Sequence, residues 1–418
     1  SKTFTKAQYF GFTGTPILDE NTKKMSVTSD VFGNELHRYV IADGIRDHNV
    51  LGFDKYKVLT FQDRDLRKAV ALEKSKSSTE QEAISDPAKS KVYYKYMNEL
   101  PMAGYEDENG KYVSGIEDNV KTAQYRNDKH RSNVVQNILD NWITISRNNE
   151  YSAIFATSSI PEAIHYYRLF KKQNNVLKLN ITVLVDPNID NTEGFEFKED
   201  GLVEIISDYN KMFDQNFSLS NSAAFKKDVS LRLARKKPYN RIQKQDQIDM
   251  LIVVDQMLTG FDSKWINALY LDKLLEYENI IQAFSRTNRV HNEHKPFGII
   301  KYYRKPHTME KNIEKAIRMY SGEKPFQLFV PKLEENTKKM NSIYSEIEQL
   351  FESEGINNFS ELPKEPAIRK KFVKLYNEFN KYYEAAVIQG FIPKENINEE
   401  MENLEINESF NSDESVED

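Results

Sequence analysis

Five short apolar runs constrain this chain more than any other feature: Ser152–Thr157 (SAIFAT), Asn180–Asp186 (NITVLVD), Met250–Asp255 (MLIVVD), Ala268–Asp272 (ALYLD) and Phe297–Tyr303 (FGIIKYY). Stretches of helical periodicity separate them: Pro161–Lys172, two helices over about 201–235, and Asn279–Arg289. A strand that is apolar on both faces must be covered on both faces. Such strands alternating with helices predict a parallel sheet sandwiched by helices, an α/β fold. Only 15 glycines and 13 prolines occur in 418 residues, too few for a turn-rich all-β protein. That length predicts two or three domains.

Upstream of these runs, Tyr9–Thr13 reads as a further strand that ends in Gly14-Thr15-Pro16, so the chain is expected to begin part-way through a longer polypeptide. Residues 61–130 are rich in Lys and Glu with weak periodicity, and read as a charged insertion of helices and loops. From Asp128 to Arg147 the apolar positions Val134, Ile138, Trp142 and Ile145 keep helical spacing. Beyond residue 308 no strand pattern recurs, and helices are predicted over 332–353 and 364–388. The expected division is residues 1–16, an α/β domain over 17–305, a helical domain over 306–394 and an acidic tail over 395–418. That tail holds ten acidic residues and no Lys or Arg; subtracting it from the net −6 leaves +4 on residues 1–394. A mildly basic body is compatible with a polyanionic partner. The absence of cysteine excludes disulfides, Cys-ligated metals and thiol nucleophiles, and permits a reducing compartment.

Three segments carry candidate chemistry: Phe12-Thr13-Gly14-Thr15-Pro16, Val253–Asp262 (VVDQMLTGFD) and Gln282–Arg289 (QAFSRTNR). Each is weak alone, since turns and surface arginines are common. Together they gain weight, because ligands of open parallel sheets bind beyond the carboxyl ends of the strands, where Asp255–Asp262 lies. Gly260 allows close backbone approach to a ligand, and Asp262 is placed to accept a ribose hydroxyl. Arg286 and Arg289 are expected on one face of the Asn279–Arg289 helix, with Gln282 one turn earlier on the same face to orient them. Guanidinium forks suit phosphate oxygens and the charge of phosphoryl transfer. No G-x-x-x-x-G-K-[ST] occurs anywhere, so these residues read as the trans-acting half of a nucleotide site.

The three segments resemble motifs III, V and VI of superfamily 2 helicases. The wording FTGTP, then VFGNELHRYVIADGIRDHNVL at 31–51, LIVVDQMLTGFDSKWINALYLDK at 251–273, IIQAFSRTNRV at 280–290 and KPFGIIKYY at 295–303, resembles the motor (R) subunit of type I restriction–modification enzymes. Ser285 stands where Gly often precedes the first arginine in the superfamily, which is the spelling of the type I group. The resemblance covers roughly residues 1–305. It implies a cytoplasmic, ATP-driven translocase of double-stranded DNA that also carries a nuclease and works with methyltransferase and specificity subunits. It implies a RecA-like second motor domain followed by helices, with the Mg²⁺–ATP cradle and the nuclease in preceding domains, so that this chain alone is expected to be inactive. By resemblance, Arg286 and Arg289 sense the γ-phosphate, and Gly260, Asp262 and Gln282 contact the nucleotide. Thr13, Thr15, Thr157, Ser158 and Thr259 would face DNA.

Other readings compete. Asp186 and Asp190 with Glu196-Phe197-Lys198 loosely match a PD-(D/E)xK nuclease core, though the spacing is tight. His291 and His294 lack further metal ligands nearby in sequence. The 23 tyrosines and 24 phenylalanines are expected mainly in cores rather than as base-stacking platforms. A general superfamily 2 helicase of repair or remodelling, and a non-catalytic helical docking module for a methyltransferase, are the remaining alternatives.

Overall fold

The computed structural model describes residues 11, 13, 28–33, 35–185, 195–320 and 328–392. Eight strands are present among them: β1 (Phe53–Lys57), β2 (Tyr105–Glu106), β3 (Tyr112–Val113), β4 (Ser152–Thr157), β5 (Ile181–Leu184), β6 (Met250–Val253), β7 (Ile266–Asp272) and β8 (Gly298–Tyr302). Six form one sheet in the order β1-β8-β7-β4-β6-β5, every pair parallel. β2 and β3 form a separate antiparallel hairpin. The predicted apolar runs are β4 to β8, and every residue in them is buried. β1, with the sequence Phe-Asp-Lys-Tyr-Lys, is a strand that apolarity alone does not announce.

Alternate residues of each strand serve the two faces. On one face Ile154, Leu251, Leu269 and Ile300 join Phe225 and Val229 of the Ser222–Leu233 helix and Ile313 of the Pro306–Tyr320 helix. On the other, Phe155 meets Tyr166 and Phe170 of the Ile160–Gln173 helix edge-on, with centroids 4.8 and 6.2 Å away. That helix starts where it should: Ser159 caps it by accepting the Glu162 amide, and Pro161 lies in its first turn. β4 is the switch point of the sheet. The chain leaves β4 toward β5 on one side, and leaves its neighbour β7 toward β8 on the other, which places the ligand crevice of such a fold at their carboxyl ends.

The charged segment 61–130 has a core of its own, built from Leu66, Val70, Met102, Ile116, Val120 and Tyr125. It is also tied into the sheet domain. Buried Glu117 accepts the His307 and Thr308 amides at 3.1 and 2.7 Å, capping the Pro306–Tyr320 helix from outside it. That helix packs with the sheet, so the chain of this unit runs past the boundary expected near 305. The described residues divide into two compact units, 28–291 with 297–330, and 292–296 with 331–392. In the second, the Leu333–Ser353 and Pro366–Ile388 helices enclose Ile343, Ile347, Phe351 and Ile356 against Phe372, Leu375 and Phe379. Among the described residues no helix is long and apolar enough to cross a membrane.

Candidate functional site

β6 ends at Val253, and the chain crosses the carboxyl edge of the sheet as the loop 254–265 before entering β7. Met257 and Gly260 hold left-handed φ values of 63° and 74°. At Gly260 the conformation, not crowding, calls for glycine: a Cβ there would meet nothing within 4 Å. The loop therefore presents open backbone at this point.

Three contacts join this loop to the segment 282–289. The Thr259 hydroxyl donates to Gln282 Oε1 at 3.0 Å. Arg286 donates through Nη1 to the Phe261 carbonyl and through Nε to Gln282 O at 3.0 Å. Arg289 Nε pairs with Asp262 Oδ1 at 2.7 Å. Burial and the neighbouring Arg289 charge lower the Arg286 pKa, but a guanidinium remains charged throughout the working range. The Arg289 and Asp262 side chains are 44% and 60% exposed, so their pair is open to exchange with solvent or ligand.

One expectation is corrected here. The helix predicted over Asn279–Arg289 spans only Glu278–Phe284. Arg286 lies in the following turn and Arg289 beyond it in irregular chain, so they do not share a helical face. They converge because both reach back to the 255–262 loop. Gln282 orients Arg286 through its backbone carbonyl, while its side chain serves Thr259.

The remaining predicted residues are dispersed. Thr157 at the end of β4 is fully buried, and its hydroxyl donates to the Val253 carbonyl at 3.1 Å. Ser158 is half-buried, with an enclosed hydroxyl that lacks a hydrogen-bond partner among the described residues. Thr13 is exposed, while Thr15 lies outside the described residues, as do Asp186 and Asp190 of the nuclease reading. Glu196 and Lys198 fall in the Phe195–Phe213 helix, where their side chains are not described. His291 Nδ1 lies 3.1 Å from the Tyr151 hydroxyl, and His294 pairs with Glu384 at 3.7 Å. No group of three or more His, Cys, Asp or Glu residues suited to a metal ion occurs among the described residues.

Sequence reasoning missed two features of this edge. Lys273, directly after β7, donates to the Val254 carbonyl at 3.2 Å and to the Asp255 carboxylate. Beside it opens a cavity of about 410 Å³ lined by Asp255, Thr259, Lys273, Glu276 and Asn279, and a second, of about 520 Å³, lies between Lys226, Ser230 and Gly260. The other feature is a sealed network around Asp272, the last residue of β7. Its carboxylate accepts from His130 Nε2 at 2.9 Å, Tyr166 OH at 2.8 Å, and Arg304 Nε and Nη2 at 3.1 and 3.0 Å. His130 Nδ1 lies 2.8 Å from the Thr60 hydroxyl. Burial opposes ionisation of Asp272, yet the hydrogen bond and charge of His130, with the Arg304 charge, hold its pKa below the usual value. A lone acid ending an apolar strand, ALYLD, was the available signal for it.

A parallel sheet with helices on both faces, in a chain that also carries a separate helical unit, is a doubly wound α/β fold with a helical region. Comparison with known proteins narrows the class. A family model of "Type I restriction enzyme subunit R domain 3" matches residues 149–305, "Type I restriction and modification enzyme - subunit R C terminal" matches 328–411, and "SWI2/SNF2 ATPase" matches 1–92. The Type I restriction enzyme SauCOLORF180P endonuclease subunit of Staphylococcus aureus (strain COL) is 34% identical over 386 residues, 89% of this chain and 35% of the relative. The SsaAORF53P endonuclease subunit of Staphylococcus saprophyticus is 35% identical over 327 residues, 76% of this chain and 30% of its own. Among solved structures, an ATP-dependent Type ISP restriction-modification enzyme, LlaBIII, bound to DNA covers 94% of this chain and 30% of its own at 12% identity. The TM-score of that match is 0.32. The chain belongs to the R-subunit family of type I restriction enzymes, and spans about a third of the length of the curated relatives it matches.

Proposed function

We propose that this chain supplies one half of the motor of an ATP-driven restriction enzyme: two arginines that meet the transferring phosphate, and part of the surface along which double-stranded DNA moves. The observation that supports this most is the convergence of Arg286 and Arg289 on the glycine-bearing loop 255–262 at the carboxyl edge of the sheet. The chain contains no P-loop, so the Mg²⁺–ATP cradle belongs to a second motor domain. ATP supplies the phosphoryl group whose transfer drives translocation. Arg289, paired among the described residues with an exposed carboxylate, can exchange Asp262 for a phosphate oxygen when the two motor domains close. Arg286, tied to the Phe261 and Gln282 carbonyls, keeps the loop and the arginines in one register.

Of the residues expected to face DNA, Thr259 and Ser158 remain candidates at the carboxyl edge, with Thr13 and Thr15 as proposed coupling residues. The buried Thr157 hydroxyl is occupied by the chain itself. Methyltransferase and specificity subunits are the proposed protein partners, and the cytoplasm the proposed compartment. In the intact subunit with duplex DNA and Mg²⁺, Arg289→Ala is expected to abolish ATP turnover while nucleotide affinity is nearly retained. A folded variant that keeps more than about a tenth of wild-type turnover overturns the assignment. The chain by itself is expected to release no phosphate from ATP above background, and to bind DNA weakly, without sequence preference and with a shallow salt slope.

A further inference from the structure

We propose that Lys273 is a positioning residue that couples the 255–262 loop to the arginine-bearing segment; this rests on the motor reading above. The carboxyl ends of three adjacent strands meet here. β4 lies between β6 and β7, and of the two carbonyls by which the chain leaves β6 one is gripped from β4 and the other from β7. Thr157 at the end of β4 donates to Val253 O at 3.1 Å. Lys273 at the end of β7 reaches past β4 to Val254 O at 3.2 Å and takes the Asp255 carboxylate as its counter-ion. The first residues of the loop are therefore fixed from β7, while its last residues, Phe261 and Asp262, are fixed by Arg286 and Arg289.

The geometry makes Lys273 more than a neutralising charge. Its side chain is only 17% exposed whereas that of Asp255 is 53% exposed, so the lysine is the enclosed, directional member of the pair. Only four residues separate it from the Glu278–Phe284 helix. Within that connection the Leu275 carbonyl accepts from Asn312 Nδ2 at 2.9 Å. A shift of the loop entrance therefore acts on a connection of four residues that leads into the helix, and from there to Arg286 and Arg289. An ammonium that satisfies a carbonyl and a carboxylate at once transmits such a shift; a methylene chain of the same length does not. Lys273 touches neither nucleotide nor DNA in this scheme, and acts through the loop.

The test uses Lys273→Met and Lys273→Arg. By hydrogen exchange on this chain, amides of 254–262 should exchange on the order of tenfold faster in Lys273→Met, the equivalent of ~1.4 kcal/mol, with 181–184 unchanged. Unchanged protection in the loop overturns the proposal. In the intact subunit, Lys273→Met should lower DNA-stimulated kcat about tenfold with the KM for ATP within about twofold of wild type. Lys273→Arg should recover most of the loss, because a guanidinium can serve both acceptors and the adjoining 410 Å³ cavity gives it room. A normal kcat in Lys273→Met, or an Arg variant as impaired as the Met variant, overturns it. If the wild-type subunit shows no DNA-stimulated hydrolysis, the motor reading and the coupling fail together, while the exchange arm still decides whether Lys273 holds the loop.

Discussion

Two aspartate–arginine pairs stand at the carboxyl edge of the same sheet and differ in nearly everything else. Asp272 is sealed, with no exposed side-chain surface, and receives four hydrogen bonds from His130, Tyr166 and Arg304. Asp262 stands 60% exposed, and its carboxylate pairs with Arg289. A buried charge pair is tolerable only when every lone pair is served, and it resists replacement because removing one partner strands the other. An exposed pair contributes little and exchanges freely. The same chemical pair is thus fixed in one place and open to solvent in the other, and the number of donors around the carboxylate sets the difference.

The largest expected effect separates the two pairs by what is lost. Arg289→Ala should cost 10³–10⁵ in ATP turnover of the intact subunit, about 4–7 kcal/mol of barrier, with no more than ~0.5 kcal/mol of stability. Paired steady-state kinetics and melting curves check this. A large drop in melting temperature would show that Arg289 is a structural residue like Arg304. Asp272→Ala should do the reverse, removing about 3–5 kcal/mol of stability by leaving Arg304 buried without its carboxylate. Urea unfolding of the chain should show a displaced midpoint, and a shift under about 1 kcal/mol would mean that the network is dispensable.

A third carboxylate sharpens the comparison. Asp249, just before β6, is as enclosed as many core residues but takes a single backbone donor, the Asn180 amide at 2.7 Å. Burial pushes its pKa up to about 6 from the ordinary 3.8, opposite in direction to Asp272. As pH rises, the unfolded chain gives up this proton first, so the native state should lose stability between about pH 4 and pH 6, by up to ~3 kcal/mol. Asp249→Asn, which can still accept the Asn180 amide, should remove that loss and unfold at higher urea than wild type at pH 8. Equal midpoints at pH 8 would show that Asp249 ionises at its ordinary value. The smallest effect is reserved for Asp262→Asn, expected to change stability by only ~0.2–1 kcal/mol.

Much of the sheet was legible because burial on both faces leaves an uninterrupted apolar run, and five of the six strands of the main sheet carry one. β1 was not. As an edge strand it keeps Lys55 and Lys57 toward Glu310, and its buried Asp54 is served by the Tyr56 hydroxyl at 2.6 Å; those charges disguise it. The two arginines were legible as a pair, but their helical face was not real, because the helix stops at Phe284 and the contacts that bring them together come from a loop about 25 residues earlier. The Asp272 network was beyond reach for a related reason. Its members Thr60, His130, Tyr166 and Arg304 come from four separate parts of the chain, and no local spacing joins them.

The register of β1 has a consequence for synthesis. Phe53 lies opposite Gly298, its partner 245 positions later in the chain. At ~5–20 residues per second, the strand waits about 12–50 s after leaving the ribosome before its neighbour exists. An apolar strand idle for that long would offer other nascent chains an edge to pair with. The charges on Asp54, Lys55 and Lys57 keep the waiting segment hydrated, and in the finished sheet they cost little, since Tyr56 and Glu310 are there to receive them. Replacing Lys55 and Lys57 with valine would be expected to lower the yield of soluble chain.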